Sequence, residues 1–217
     1  LLVGYATPGI RLAQLYFSTY QKEKSQRQGD FPVIFLRNHG LVVSGETADE
    51  VIRQTEDILD KTAEALNVDI SAYRNATVLY DKLTAWGGIG DRQIVYLSTD
   101  VYIKEALHRF PRGWDYAFCP DCLVYCGRAP LFLGDLSCFD DVKDYIDKEG
   151  RPVILLYQKN VYILADTVAK AKEIESVLRF SAQVVMLNQG YAIELLSREE
   201  QNFLLHWEAE EYRRSRK

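Results

Sequence analysis

Histidine is scarce in this chain of 217 residues: only His39, His108 and His206 occur, so imidazole chemistry has three addresses. Long apolar runs are missing too. The longest, such as Leu131-Phe132-Leu133 and Val153 to Tyr157, fall far short of the ~20 residues that span a bilayer. The first residues, LLVGYATPG, lack the basic start and apolar stretch of a secretory signal. No basic excess exists: the formal net charge is -5 and the pI about 5.3. That balance gives no electrostatic reason to expect nucleic acid or an anionic membrane as partner. The four cysteines, at 119, 122, 126 and 138, all lie in the middle of a chain too large to need disulfide staples. Without an export signal they point to reduced thiols and a cytoplasmic setting rather than to a disulfide framework. There is no phosphate loop or nucleophile-elbow serine, and Gly87-Gly88-Ile89-Gly90 lacks the helix start of a dinucleotide fingerprint. The acid pairs Asp140-Asp141 and Glu199-Glu200 read as helix starts, not as a catalytic dyad.

What is present is an ordinary globular composition, 47% hydrophobic and 26% charged, long enough for one large domain or two small ones. A Thr7-Pro8-Gly9 turn leads into a helix with Ile10, Leu12, Ala13, Leu15, Tyr16 and Tyr20 on a rough apolar face. Pro32 to Leu36 and Leu41 to Val43 read as strands joined by the turn Arg37-Asn38-His39-Gly40, where Asn and Gly tolerate positive φ. Thr47-Ala48-Asp49-Glu50 is a capping box, and the helix after it carries Val51, Ile52, Thr55, Ile58, Leu59, Ala63 and Leu66 on one face. Beyond Asn67 the pattern loosens, and a boundary is expected between 67 and 90, giving segments 1–70 and 71–217. Ile94 to Leu97 reads as a strand, Thr99 to Phe110 as a helix, and Leu123 to Tyr125 and Leu131 to Leu133 as short strands. A last capping box, Ser197-Arg198-Glu199-Glu200, opens a helix expected to turn Phe203, Leu204 and Trp207 toward a core. The basic tail Arg213 to Lys217 reads as a solvated helix end.

The chain also echoes itself. A shift of 120 residues lays PVIFLRNHGLVVSGET, from Pro32, on PVILLYQKNVYILADT, from Pro152, with five of sixteen positions identical. A helix is expected after each, the second carrying Ala171, Ile174, Val177, Leu178 and Val185 on one face. The shared order of strand, turn, strand and capped helix makes a duplication the economical reading.

Two places could carry chemistry. His39 sits in the turn of a strand pair, where a rigid scaffold can present an imidazole to a cleft or to a metal ion. His108 and His206 read as surface or partly buried structural residues. The box Cys119-Pro120-Asp121-Cys122 has the spacing of a thiolate metal site or a redox pair. A second knuckle is lacking. Small apolar thiols in or near a strand account for it, and no helix is expected to open at the box and lower a thiol pKa.

The stretch Tyr5-Ala6-Thr7-Pro8-Gly9 through Leu12-Ala13, followed by FLRNHGLVVSGETADEV, resembles the second half of a class II (metal-dependent) aldolase/adducin domain. The rest is similar to the middle of the long, rhamnulose-1-phosphate-aldolase-like members. Their Pro-Asp-His strand resembles Pro120-Asp121-Cys122, and their Phe-Trp-Glu ending resembles Phe203 to Glu210, with Cys122 in place of His and a shorter Phe203 to Trp207 spacing. The resemblance implies a three-layer α/β/α fold with a mixed sheet, a duplicated and degenerate second lobe, and a homotetramer. It implies aldol cleavage of a phosphorylated ketose to dihydroxyacetone phosphate and an aldehyde, in sugar catabolism. The metal would be zinc held by three histidines. Only the third maps here, onto His39; the His-x-His pair, the acid and the phosphate-binding residues belong to an N-terminal half not among these residues. Lys159 stands at the equivalent place in the echo, so that lobe is expected to be metal-free. Two other readings stand beside this one: a non-catalytic aldolase/adducin-like module for oligomerisation or binding, and a cysteine-zinc module resting on Cys119 and Cys122.

Overall fold

A parallel strand pair closed by a helical crossover and extended by an antiparallel hairpin occurs twice in this mixed α/β chain. The computed structural model describes residues 1–27, 29–87, 93–137, 140–188 and 190–206. The chain divides into two compact units, Leu1–Asp69 and Ile70–Lys217.

In the first unit, β1 (Leu2–Val3) leads through α1 (Ile10–Gln26) to β2 (Val33–Leu36), which turns back as β3 (Gly40–Val43) before α2 (Ala48–Leu66). β1 lies parallel to β2, pairing Leu2 with Phe35 and Val3 with Leu36, and β2 lies antiparallel to β3. The hairpin closes where the His39 amide donates to the Leu36 carbonyl at 2.9 Å. Asn38 (φ 62°) takes the left-handed conformation there, and Gly40 (φ 140°) a conformation open only to glycine. Thr47 caps α2 by accepting the Glu50 amide at 3.2 Å, while the Glu50 carboxylate accepts the Glu46 amide at 2.9 Å, one residue before the expected box partner. The core is small. Val3 and Ile34 are its buried apolar residues among those described, and neither helix buries a side chain. The apolar faces expected of α1 and α2 exist, but Ile52 (57%) and Leu66 (67%) stand in solvent.

The second unit begins with α3 (Ser71–Ala85), β4 (Ile94–Leu97), α4 (Val101–Arg109) and α5 (Pro120–Cys126). The motif then repeats as β5 (Leu131–Leu133), α6 (Asp140–Glu149), β6 (Ile154–Tyr157), β7 (Asn160–Ala165) and α7 (Val168–Leu187), before α8 (Arg198–Leu205). β5 is parallel to β6, and β6 antiparallel to β7. The strand order is β4-β7-β6-β5, so β4 covers the edge of β7 whose counterpart on β3 has no strand beside it among the described residues. Thr167 caps α7 through the Lys170 amide, 120 positions after Thr47 does the same for α2. The hairpins differ by one residue: Leu36 pairs with Gly40, but Tyr157 pairs with Asn160 across a two-residue turn. Gln158 (φ 47°) and Lys159 (φ 61°) are both left-handed in that turn, as a type I′ turn requires.

Helices cover both faces of the second sheet. Ile154, Leu156, Val161 and Ile163 meet Ile103 and Leu107 of α4 and Ile174 and Leu178 of α7 on one side. Leu155, Tyr162 and Leu164 meet Leu79 and Leu83 of α3 and Val142 of α6 on the other. Two buried polar groups of this core are answered: the Trp114 indole donates to Ser181 Oγ at 3.0 Å, and the Tyr116 hydroxyl donates to the Cys126 carbonyl at 3.1 Å.

Two sequence expectations are corrected, and one helix is added that the sequence did not announce. Leu123 to Tyr125 is helical, because Pro120 at the first helical position and Asp121 beside it start a helix that Gly127 (φ 79°) ends. α3 escapes the sequence reading because its N-cap, Ile70, makes no side-chain cap and leaves no start signal. Phe203 does not enter a core: it is 66% exposed, and Gln201 is the buried residue of α8. Trp207, the tail Arg213 to Lys217 and most of Gly87-Gly88-Ile89-Gly90 lie outside the described residues. No helix among the described residues is long and apolar enough to cross a membrane.

Candidate functional site

β1 and β2 run parallel, so the chain leaves both at the same end of the first sheet. There Tyr5 and Ala6 follow β1, and Arg37, Asn38 and His39 follow β2. The Arg37 amide donates to the Val3 carbonyl at 3.0 Å and ties the two exits together. The carboxyl end of parallel strands is where α/β folds place their ligands, since loops gather there on a rigid sheet.

His39 is fixed twice in this corner. Its ring stacks on Tyr5, with centroids 5.6 Å apart and planes 10° from parallel. Its Nε2 lies 3.0 Å from the Ala6 carbonyl oxygen. A carbonyl only accepts, so in the neutral ring Nε2 carries the proton and Nδ1 holds the lone pair. Metal-binding histidines are characteristically oriented this way, donating the far N–H to a carbonyl while the other nitrogen faces the ion. The two segments that carry the family resemblance, Tyr5 to Gly9 and Arg37 to Gly40, therefore meet side chain to backbone.

Beside the turn lies an open depression of about 470 Å³, where Leu2, Phe35 and Leu41 of the sheet face Ile58 and Leu59 of α2 and His39 stands at the edge. Leu2, Phe35 and Leu41 form one cross-strand row, which makes the floor almost wholly apolar. His39 is the one imidazole brought here. No group of three or more His, Cys, Asp or Glu able to hold a metal occurs among the described residues. The described residues thus offer zinc one oriented nitrogen where a stable site needs three or four ligands, and they do not fit the ion by themselves.

The other histidines are elsewhere. His108 lies exposed in the last turn of α4. His206 ends α8 with its Nδ1 2.8 Å from the Asn202 carbonyl oxygen, a local helix-end contact.

The cysteine box is where sequence reasoning missed most. Cys119 is the N-cap of α5, and its Sγ lies 3.0 Å from that of Cys122. The Cys122 amide also donates to Cys119 Sγ at 3.4 Å. Cys119 is half-buried, whereas Cys122 and Cys126 are fully buried. Burial pushes the thiols of Cys122 and Cys126 well above the ordinary cysteine value, so both stay protonated. The signal that would have found this pair was Pro120, a residue favoured at the first helical position and out of place inside a strand. Cys138 lies outside the described residues.

No family model matches this chain, and no curated protein or solved structure shows significant similarity to it.

Proposed function

We propose that this chain belongs to a metal-dependent aldolase-type lyase that cleaves a phosphorylated ketose to dihydroxyacetone phosphate and an aldehyde. His39 is one ligand of its zinc ion, and the others come from outside the described residues. The observation that carries this reading is the hydrogen bond of His39 Nε2 to the Ala6 carbonyl, which leaves Nδ1 as an oriented donor at the carboxyl end of a parallel strand pair. The resemblance of Tyr5 to Gly9 and of Arg37 to Thr47 to the class II aldolase/adducin pattern supports it. The three-layer α/β/α fold, the homotetramer and the cytoplasmic setting belong to the same proposal. A zinc ion in such a site would polarise the ketone; the part of this chain would be to hold one ligand rigidly through Tyr5 and Ala6.

The exposed apolar faces of α1 and α2 favour a second reading, a non-catalytic module of the same family that serves oligomerisation or binding. Metal content separates the two. Stoichiometric zinc in the full-length protein, lost on His39→Ala with the circular dichroism spectrum retained, is the expected result for the lyase. A protein that carries no zinc leaves the binding module, and one that keeps its zinc after His39→Ala removes His39 from the metal site and overturns the lyase reading.

A further inference from the structure

The second unit holds a pair of thiols for which the aldolase reading has no use. Cys119 and Cys122 face each other with Sγ atoms 3.0 Å apart, held by one turn of α5 that starts between them. Bond formation needs these sulfurs to approach by only about 1 Å, to the ~2.05 Å of a disulfide. The two sulfurs differ in access: Cys119 is half-buried, and Cys122 has no exposed surface. Cys126, one turn further on, is also fully buried and packs in the main core among the residues of α4 and α7. A metal knuckle is the poorer use of the pair, because no third and fourth donor group joins it among the described residues.

We propose that Cys119 and Cys122 form a reversible disulfide by thiol–disulfide exchange with a small-molecule disulfide, Cys119 attacking and Cys122 resolving. In the first step the Cys119 thiolate attacks one sulfur of the reagent RSSR. A protein–S–S–R bond forms, the S–S bond of the reagent breaks, and RS⁻ leaves to be protonated. In the second step the Cys122 sulfur attacks Cys119 Sγ, the protein–S–S–R bond breaks, and the Cys122 proton passes through solvent to the departing RS⁻, which leaves as the second RSH. The sum is one dithiol oxidised to one disulfide and one RSSR reduced to two RSH, with both electrons carried by the reagent. The division of labour follows from access. A solvent-borne disulfide reaches Cys119 and not Cys122, while Cys122 already touches the sulfur it must attack. Burial keeps Cys122 protonated until then, which protects it from direct oxidation.

The test uses the whole protein, oxidised glutathione as reagent, and intact-mass and peptide mapping after alkylation of remaining thiols. The expected product is a protein two hydrogens lighter, with no glutathione attached and the bond mapped between Cys119 and Cys122. Addition of dithiothreitol should restore both alkylatable thiols. Cys122→Ala should stop at a glutathione adduct on Cys119, and Cys119→Ser should lose reaction at Cys122 altogether. A wild-type protein that keeps a glutathione adduct on Cys119, remains unmodified, or maps its disulfide to another cysteine overturns the proposal. The wild-type map decides the matter even if a variant of the buried Cys122 fails to fold.

Discussion

At the scale of single residues, the polar groups that matter most are those held by more than one partner. His39 is held by a ring and a carbonyl, and Glu175 accepts from Ser98 Oγ at 2.7 Å and from the Tyr96 hydroxyl at 3.2 Å. Glu149 of α6 accepts both guanidinium N–H arms of Arg198 of α8, each at 2.7 Å. These hydrogen bonds hold the Glu149 carboxyl below its ordinary value of 4.5. A carboxyl depressed in the folded state contributes stability that is fully present above the unfolded value. That contribution fades as pH falls from about 4.5 through the folded value. Arg198 is largely exposed, so solvent screening limits the pair to about 1 kcal/mol or less. Arg198→Ala should therefore lower stability to urea at pH 7 by up to that amount. At pH 3 the difference between wild type and variant should shrink, and an equal difference at both values would show that the ion pair is not its source.

Among the elements, the paired helices α2 and α7 allow one interaction to be compared in two settings. Thr167 accepts the Lys170 amide at 3.1 Å and Thr47 accepts the Glu50 amide at 3.2 Å, so the caps are locally equivalent. α7 buries Ala171, Ile174, Leu178, Ser181, Ala182 and Val185, whereas α2 buries nothing. Thr167→Ala should cost about 1 kcal/mol of the main unfolding transition, read as a lower urea midpoint with unchanged slope. Thr47→Ala should leave that midpoint in place. Equal shifts would mean that the two helices unfold together. The same pair shows what the sequence could disclose. The caps at Thr47, Thr167 and Ser197 were legible because a side chain must answer free amides at a helix start, and the first hairpin because left-handed turns select Asn and Gly; the second, which turns on Gln158 and Lys159, was legible only as an echo of the first. α3 was not, since Ile70 answers no amide, and α5 was misread because Leu-Val-Tyr favours strands when Pro120 is overlooked. The corner around His39 was half legible: the residue stood out, but Ala6 and Tyr5, more than thirty positions away, reach it only through the parallel pairing of β1 with β2.

For the whole molecule, the contrast between the units is one of burial rather than of topology. Both use the same order of strand, helix, hairpin and capped helix, yet the second adds β4 to the edge of its hairpin and helices to both faces of its sheet. Its β7 is buried from Val161 to Ala165. The first unit keeps β3 at the edge of a three-stranded sheet and buries Val3 and Ile34. Burial of apolar surface supplies most of the free energy that resists opening, and the amides of a poorly buried element exchange by small fluctuations. Amide hydrogen exchange followed by mass spectrometry should therefore show β6 and β7 as the slowest segments. Val33–Leu36 and Gly40–Val43 should exchange at least about tenfold faster, the equivalent of ~1.4 kcal/mol. Dilution adds a second arm. If the open faces of α1, α2 and β3 are covered by association in solution, protection of the first unit should fall as the protein is diluted, while that of β6 and β7 stays constant. Protection of the first hairpin equal to that of β7 at every concentration would contradict the picture of a lightly buried first unit.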